Sequence, residues 1–491
     1  MAKRRLRILI ACSEVAPFSK TGGLGDVCNA LPKALVELGH EVRVISPLYR
    51  MVRQSGFGLV RAAQDIEISQ DDRIEMGHVR LAEDFTDFMA VFVENDRYYD
   101  RDGIYGTPQG DHPDNAARFA FFAKMVLEYC REFDYIPDVI HCHDWPTGLI
   151  PALLTYASAL DSRCRHISSV FTIHNLGYQG LFPYENLELF GLPPETWQID
   201  GVEYHGKLSL LKAGIVYSQM ITTVSRRYAK EIQSEELGMG MDGILRKHGD
   251  ALRGIVNGVD YDQWSPNHDP YIASNYTRSK TVGKKRCKAD LLDEFGLPQR
   301  LTARPLIGMV TRLAEQKGCD ILAEAIDELV KLDLGLVVLG KGEEQYNRLF
   351  AKLAKRHPDH VGVRIAFDEA VAHKIEAGSD YFLMPSRYEP CGLNQLYSMR
   401  YGTIPIVRAT GGLDDTVREY DPQTGRGTGF KFEEYSAQAL VEAVRRATGF
   451  YRKRVHFRKL IDNAMAADFS WKRSAKRYEE VYRQALADRH F

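Results

Sequence analysis

Short β-rich apolar runs alternate with helix-period segments along most of this chain. That alternation restricts it to parallel sheets covered by helices on both faces. The first unit is explicit. "LRILIAC" (6–12) reads as a strand, Asp26 as the N-cap of a helix, and Val27, Ala30, Leu31, Ala34, Leu35 and Leu38 fall on one helical face that ends at Gly39. "EVRVISP" (41–47) then returns as the next strand and completes a βαβ unit. Further strands are expected at "DVIHC" (138–142), "SSVFTI" (168–173), "MITTV" (220–224) and "LRGIV" (252–256), making one doubly wound sheet.

Between Asn257 and Arg304 the pattern lapses into a stretch rich in Asn, Asp, Ser, Pro and Gly, so a domain junction is placed there. A second series follows: "PLIGMV" (305–310), "GLVVLG" (335–340), "VGVRIAF" (361–367), "YFLMP" (381–385) and "TIPIVRA" (403–409), separated by helical stretches such as "CDILAEAIDELVKLD". From about Ser436 the chain reads as helical throughout, and "SWKRSAKRYEEVYRQAL" is an amphipathic last helix that needs a surface to cover. The 491 residues are too many for one core. The division expected is 1–260, 261–468 and a terminal helix 469–491 packing back on the first domain. Ligands in such sheets bind beyond the carboxyl ends of the strands, so two facing sheets imply a cleft.

Charge narrows the function classes. Lys and Arg total 64 against 66 Asp and Glu, with no basic block of the kind nucleic acid or an anionic membrane attracts. Eight cysteines are scattered without paired spacing, several inside apolar runs, as expected of reduced, buried thiols in a cytoplasmic protein. The basic start "MAKRRLRILIAC" has too short an apolar part for a signal peptide, and no apolar run approaches the 18 residues or so of a membrane span.

Four constellations carry chemistry. In "SKTGGLGDV" (19–27) the glycines read G-G-x-G, and the lysine precedes them where a P-loop places it after them. What survives is close backbone approach, exposed N–H groups at a helix start and the charge of Lys20, against a plain βα turn. "VTRLAEQKG" (310–318) puts Arg312 and Lys317 in a strand-end loop, where both could neutralise a diphosphate or stand as a solvated pair. "PSRYEPCGLNQLYSM" (385–399) leads from a strand end through Glu389 into a helix near Gly392. There a carboxylate can accept sugar hydroxyls beside amides that receive phosphate oxygens, or simply cap the helix. Cys391 reads as a tucked-in small residue. Last, "HCHDW" (141–145) and "TIHNLGYQG" (172–180) each end a strand; His141 and His143 share a face, but with no Cys pair or HExxH to close a metal site, Asp144 and His174 read better as polar groups on a cleft floor. The pairs Asp100/Asp102 and Asp260/Asp262 could bind Mg²⁺, and turn chemistry explains both more simply.

Taken together, "KTGGLGDV", "HCHDW", "FTIHNLGYQG", "IVNGVD", "TRLAEQKG", "PSRYEPCGLNQLYSM" and "TGGLDDTV" occur in the order and approximate separation of the bacterial glycogen synthases and plant starch synthases. The sequence closely resembles that family over nearly its whole length. The resemblance implies a GT-B fold, two Rossmann-like α/β domains around a deep cleft. It implies transfer of glucose from ADP-glucose to the non-reducing end of an α-1,4-glucan such as glycogen, with retention and without a metal or other cofactor. Carried over residue by residue, Lys20, Gly23 and Asp26 belong to a substrate loop. His174 lies against the transferred glucose, with Asp144 and Asn257 near the reacting centre. Arg312 and Lys317 hold the diphosphate, Glu389 binds glucose hydroxyls, and the Cys391, Gly392 and Leu393 amides complete the cradle. Many retaining enzymes of this fold carry Glu, seven residues, Glu; here the second position is Tyr397, so no second glutamate is assigned.

Three alternatives stand beside this reading. A dinucleotide oxidoreductase suits two α/β sheets but lacks G-x-G-x-x-G. A non-catalytic glucan-binding protein would bind glucan without releasing ADP. Within the enzyme class, UDP-glucose could replace ADP-glucose as donor.

Overall fold

The computed structural model describes residues 4–70, 73–157 and 163–488, so the first three residues of the basic start lie outside it. The chain divides into two compact units, Met1–Gly258 with Trp471–Phe491, and Val259–Ser470.

The sheet of the first unit contains β1 (Arg7–Ala11), β2 (Glu41–Pro47), β3 (Leu59–Gln70), β4 (Arg73–Ala82), β5 (Met89–Glu94), β6 (Val139–His143), β7 (Ser168–Ile173), β8 (Met220–Thr223) and β9 (Leu252–Gly254), in the order β9-β8-β7-β6-β1-β2-β5-β4-β3. The central strands β1, β6 and β7 are buried almost throughout, because helices cover both faces and leave no solvated side to alternate against. One edge departs from the sequence reading. β3 and β4 pair antiparallel to each other, and β4 runs antiparallel to β5, extending the parallel sheet by a ribbon. Its outer end alternates buried and exposed, as in "DIEISQ", which is the pattern of a strand with one wet face.

The first helix also differs from expectation. It runs Gly23–Glu37 with Gly22 in the cap position and no side-chain cap, so Asp26 is not the N-cap. Asp26 sits in the first turn, where a carboxylate complements the helix dipole, and it pairs with Lys20 at 2.7 Å. The last helix, Trp471–Ala487, buries Ala475, Tyr478, Val481, Tyr482 and Ala485 within this unit. Ser168 Oγ donates to the Ala485 carbonyl at 3.0 Å and Ser474 Oγ to the Val256 carbonyl at 2.6 Å, tying that helix to the sheet.

The second unit is built on β10 (Leu306–Val310), β11 (Gly335–Leu339), β12 (Val361–Arg364), β13 (Tyr381–Met384), β14 (Ile404–Arg408) and β15 (Phe430–Phe432), all parallel, in the order β12-β11-β10-β13-β14-β15. Its two ends meet: Val259 N–H donates to the Phe469 carbonyl at 2.7 Å. Among the parallel strands, the order reverses at β1/β6 in the first unit and at β10/β13 in the second. Loops leaving the carboxyl ends of strands beside such a reversal are splayed apart and leave a crevice. The sequence-derived site residues of both units fall largely in those four loops.

Candidate active site

In the first unit, the loop after β1 is organised by a residue that motif reading passed over. Glu14 is 3 % exposed, and its carboxylate accepts the Thr21 N–H (2.5 Å), the Thr21 hydroxyl (2.7 Å), the Gly22 N–H (3.2 Å) and the Tyr105 hydroxyl (2.7 Å). Four donors on one carboxylate hold the glycines of "KTGGLGD" at the start of the helix, with Gly23 its first residue. An acid a few residues before a glycine turn, in a strand-end loop, is the signal that the sequence offers.

The loop after β6 begins with Asp144 in the left-handed region at φ 57°, a conformation that costs a non-glycine residue roughly 1–3 kcal/mol and concentrates at functional sites. Its carboxylate accepts the His174 N–H at 2.7 Å and also bonds the Asn175 N–H. Surface area leaves Asp144 partly exposed, yet protein crowds its carboxylate; the resulting loss of solvation raises it to about 7 against those two bonds, and the Glu14 charge adds to the rise. The imidazoles behind it form a chain. His143 and His174 share a hydrogen bond at 2.9 Å, while His141 bonds the Tyr482 hydroxyl at 2.8 Å and the Thr172 hydroxyl at 2.6 Å. Burial holds His141 and His174 neutral, lowering each to about 3, and lowers His143 in the same direction. Both nitrogens of His141 and one of His143 are thus engaged by protein groups, and among the described residues no cluster of three His, Cys, Asp or Glu could hold a metal. Asn257 is 5 % exposed, with its Oδ1 unpartnered among the described residues. No hydrogen bond joins it to Asp144 or His174.

In the second unit, Lys317 and Glu389 come together. Lys317 Nζ lies 2.6 Å from Glu389 Oε2, which also accepts the Ser386 hydroxyl at 3.0 Å. Gly318, in the left-handed region at φ 74°, makes this possible: a Cβ there would stand 2.2 Å from the Pro385 carbonyl oxygen, so only glycine lets the two loops press together. Arg312 is exposed, and its guanidinium reaches Gln316 Oε1 at 3.4 Å. Beyond Glu389, Gly392 adopts φ 72° and the Gln395 amide binds the carbonyls of Cys391 and Gly392, folding them back onto the helix Asn394–Tyr401. Among the described residues the Gly392 and Leu393 N–H groups have no acceptor. Cys391 is buried, as are the other seven cysteines, all free. Tyr397 stacks flat on Trp264, centroids 4.0 Å apart, so the place of a second glutamate is filled by packing.

A second supporting feature carries no assigned residue in the motif reading. The "TGGLDD" turn (410–415) supports Glu389 from behind: the Gly412 N–H bonds the Glu389 carbonyl at 3.1 Å, and a Cβ on Gly411 would lie 1.9 Å from that same oxygen. The signal was internal. "TGGLGD" (21–26) and "TGGLDD" (410–415) are near copies, each opening a helix beside a site carboxylate. Of the two acidic pairs considered for Mg²⁺, Asp100 and Asp102 both hold Arg50, and Asp260 accepts the Asp262 N–H in a turn.

Residues 7–247 match the family described as starch synthase catalytic domain, and residues 298–460 match glycosyl transferases group 1. A glycogen synthase of Koribacter versatilis is 48% identical over 480 residues, covering 98% of this chain and 98% of that protein. The chain belongs to the glycogen synthase and starch synthase family. Glycogen synthase 2 of Geobacter sulfurreducens is 45% identical, with 99% and 100% covered. The catalytic domain of starch synthase IV from Arabidopsis thaliana, solved bound to ADP and acarbose, superposes with a TM-score of 0.91 at 32% identity, covering 99% of this chain and all of that one. A sucrose-phosphate synthase from Thermosynechococcus elongatus, at TM-score 0.60 and 18% identity, shares the fold alone. The fold is therefore GT-B, and the protein is a glycosyltransferase. The family membership removes the dinucleotide oxidoreductase alternative. No helix among the described residues is long and apolar enough to cross a membrane.

Proposed function

We propose that this glycogen synthase family member transfers glucose from ADP-glucose to the non-reducing end of an α-1,4-glucan, with retention, releasing ADP in the cytoplasm. The observation that carries the reading is the Lys317–Glu389 pair at 2.6 Å, beside the unpartnered Gly392 and Leu393 amides at the β10/β13 reversal. Those groups suit a substrate with hydroxyls next to phosphates. Breaking the glucosyl C1–O bond leaves positive charge on the sugar and negative charge on the departing diphosphate, so fixed cations and amide dipoles at the phosphates stabilise the transition state. Arg312 and Lys317 supply the cations, Gly392 and Leu393 supply amides with Cys391 in the same turn, and Glu389 takes glucose hydroxyls.

In this reading Lys20, Gly23 and Asp26 bind substrate from the loop that Glu14 holds, and His174 acts as a neutral hydrogen-bonding group against the glucose. Asp144 and Asn257 flank the reacting carbon. None of these side chains is set up as a nucleophile, which favours same-face attack: the acceptor hydroxyl adds to C1 as the C1–O bond breaks, and its proton passes to the leaving diphosphate. The test compares ADP-glucose with UDP-glucose on glycogen, with EDTA present. ADP-glucose is expected to give the higher kcat/KM with EDTA making no difference. Preference for UDP-glucose, or glycogen binding with neither nucleotide released, would overturn the proposal.

A further inference from the structure

The second unit contains a cavity of about 470 Å³ that no part of the glucosyl-transfer reading uses. It lies at the far end of the helix Asn394–Tyr401, where Arg400 stands about 10 Å along the axis from Leu393 at 1.5 Å per residue. Its wall brings together three arginines from three separate segments: Arg278 from the loop before the helix Val282–Glu294, Arg400 from the last turn of Asn394–Tyr401, and Arg458 from the helix Arg454–Ala466. One carboxylate, Asp462, shares the wall with them.

The three cations are not equally satisfied. Arg458 is committed to the structure, bonding Asp462 (3.2 Å), the Thr281 hydroxyl (2.6 Å) and the Arg278 carbonyl (2.7 Å). Arg400 has a long contact to the Ser265 hydroxyl at 3.2 Å and lies over the Tyr261 ring at 4.4 Å, while its buried Nε has no partner among the described residues. The Arg278 guanidinium makes no ion pair or hydrogen bond among the described residues. Three cations facing one anion repel one another, and water satisfies donors without neutralising charge. Guanidinium forks match the oxygens of a phosphate in a way water and chloride do not. Thr277, Ser279 and Asn267 line the same cavity with hydroxyl and amide groups suited to a polyol. The volume falls within the roughly 300–1,000 Å³ usual for small-molecule sites and exceeds what phosphate alone needs.

We infer that this cavity is a binding site for a small phosphate monoester carrying hydroxyls, of hexose monophosphate size, with Arg278 and Arg400 on the phosphate. The inference does not depend on the identity of the sugar donor. Titration calorimetry of the full chain at fixed ionic strength tests it, with fructose 6-phosphate, inorganic phosphate and fructose as probes, each with and without saturating ADP. Fructose 6-phosphate is expected to bind one per chain with Kd below 1 mM, phosphate more weakly and fructose undetectably, ADP leaving the affinity unchanged. Arg278→Gln, which has no partner to lose in the fold, is expected to weaken sugar-phosphate binding at least tenfold with the unfolding temperature retained, and Arg400→Gln is expected to weaken binding as much. Absence of heat at millimolar sugar phosphate, binding indifferent to both substitutions, or full competition by ADP would overturn the inference.

Discussion

Acid should loosen the first unit through its buried imidazoles, and His141 shows by how much. Its ring is fully buried with both nitrogens bonded, and burial lowers it from 6.5 in the unfolded chain to about 3. Between those values the unfolded chain carries a proton that the folded unit refuses, so stability rises with pH there. The contribution is complete above 6.5 and is lost progressively as pH falls toward 3. At about 1.4 kcal/mol per pH unit, the roughly 1.5 units between 6.5 and pH 5 amount to about 2 kcal/mol for this one side chain. His143 acts in the same direction. The perturbation is His141→Gln, which keeps a donor and an acceptor toward Tyr482 and Thr172 but does not titrate. Urea unfolding at pH 7 and pH 5 is followed by pulsed hydrogen exchange on peptides covering β6 and β7. Wild type should lose about 2 kcal/mol more between the two pH values than the variant, near 1 M in midpoint at a slope of about 2 kcal/mol per M. Equal losses in the two proteins would refute the argument, whatever the variant costs at pH 7.

Three further outcomes follow from the site. Changing Lys317 or Arg312 to Ala should lower kcat by about 10² to 10³ with an unchanged circular dichroism spectrum, the usual cost of one preorganised charge-stabilising donor, and near-normal turnover would sink their assignment. Asp144 is raised to about 7, so a role as hydrogen-bond acceptor requires kcat/KM to climb as pH rises through about 7; Asp144→Asn should abolish that limb, and an unaltered profile would remove Asp144 from the chemistry. Glu14→Gln leaves the four donors around it facing a neutral amide, so kcat/KM should fall by about 10 to 100-fold, the roughly 1.5–3 kcal/mol of a single charge-assisted bond, and steady-state assays showing no change would mean that the loop needs no such anchor.

The parallel core was legible because buried strands between helices write themselves as continuous apolar runs, as "LIGMV" and "GLVVL" do at β10 and β11. The β3–β4 ribbon was not, since only the far end of β3 alternates, most of the rest of that strand is exposed, and nothing in its period tells an antiparallel ribbon from a βαβ series. Candidate residues stood out where charge met a strand end, as at Lys317 and Glu389, which the fold brings into contact. Glu14 and Gly411 stayed hidden for a different reason: what they do depends on partners far along the chain, Tyr105 for the first and the Glu389 backbone for the second. Asp26 was misplaced because three glycines in a row of six let the helix begin before any side chain could cap it.

The order of synthesis gives the terminal helix a further meaning. The second unit closes on itself where Val259 meets Phe469, so a ribosome finishes it before Trp471–Ala487 emerges. Until then His141 lacks the Tyr482 hydroxyl and the sheet face beside Ser168 is bare. The half of the protein translated first is thus the half completed last, and a chain that stops near Ser470 would carry a whole second unit attached to an unfinished first.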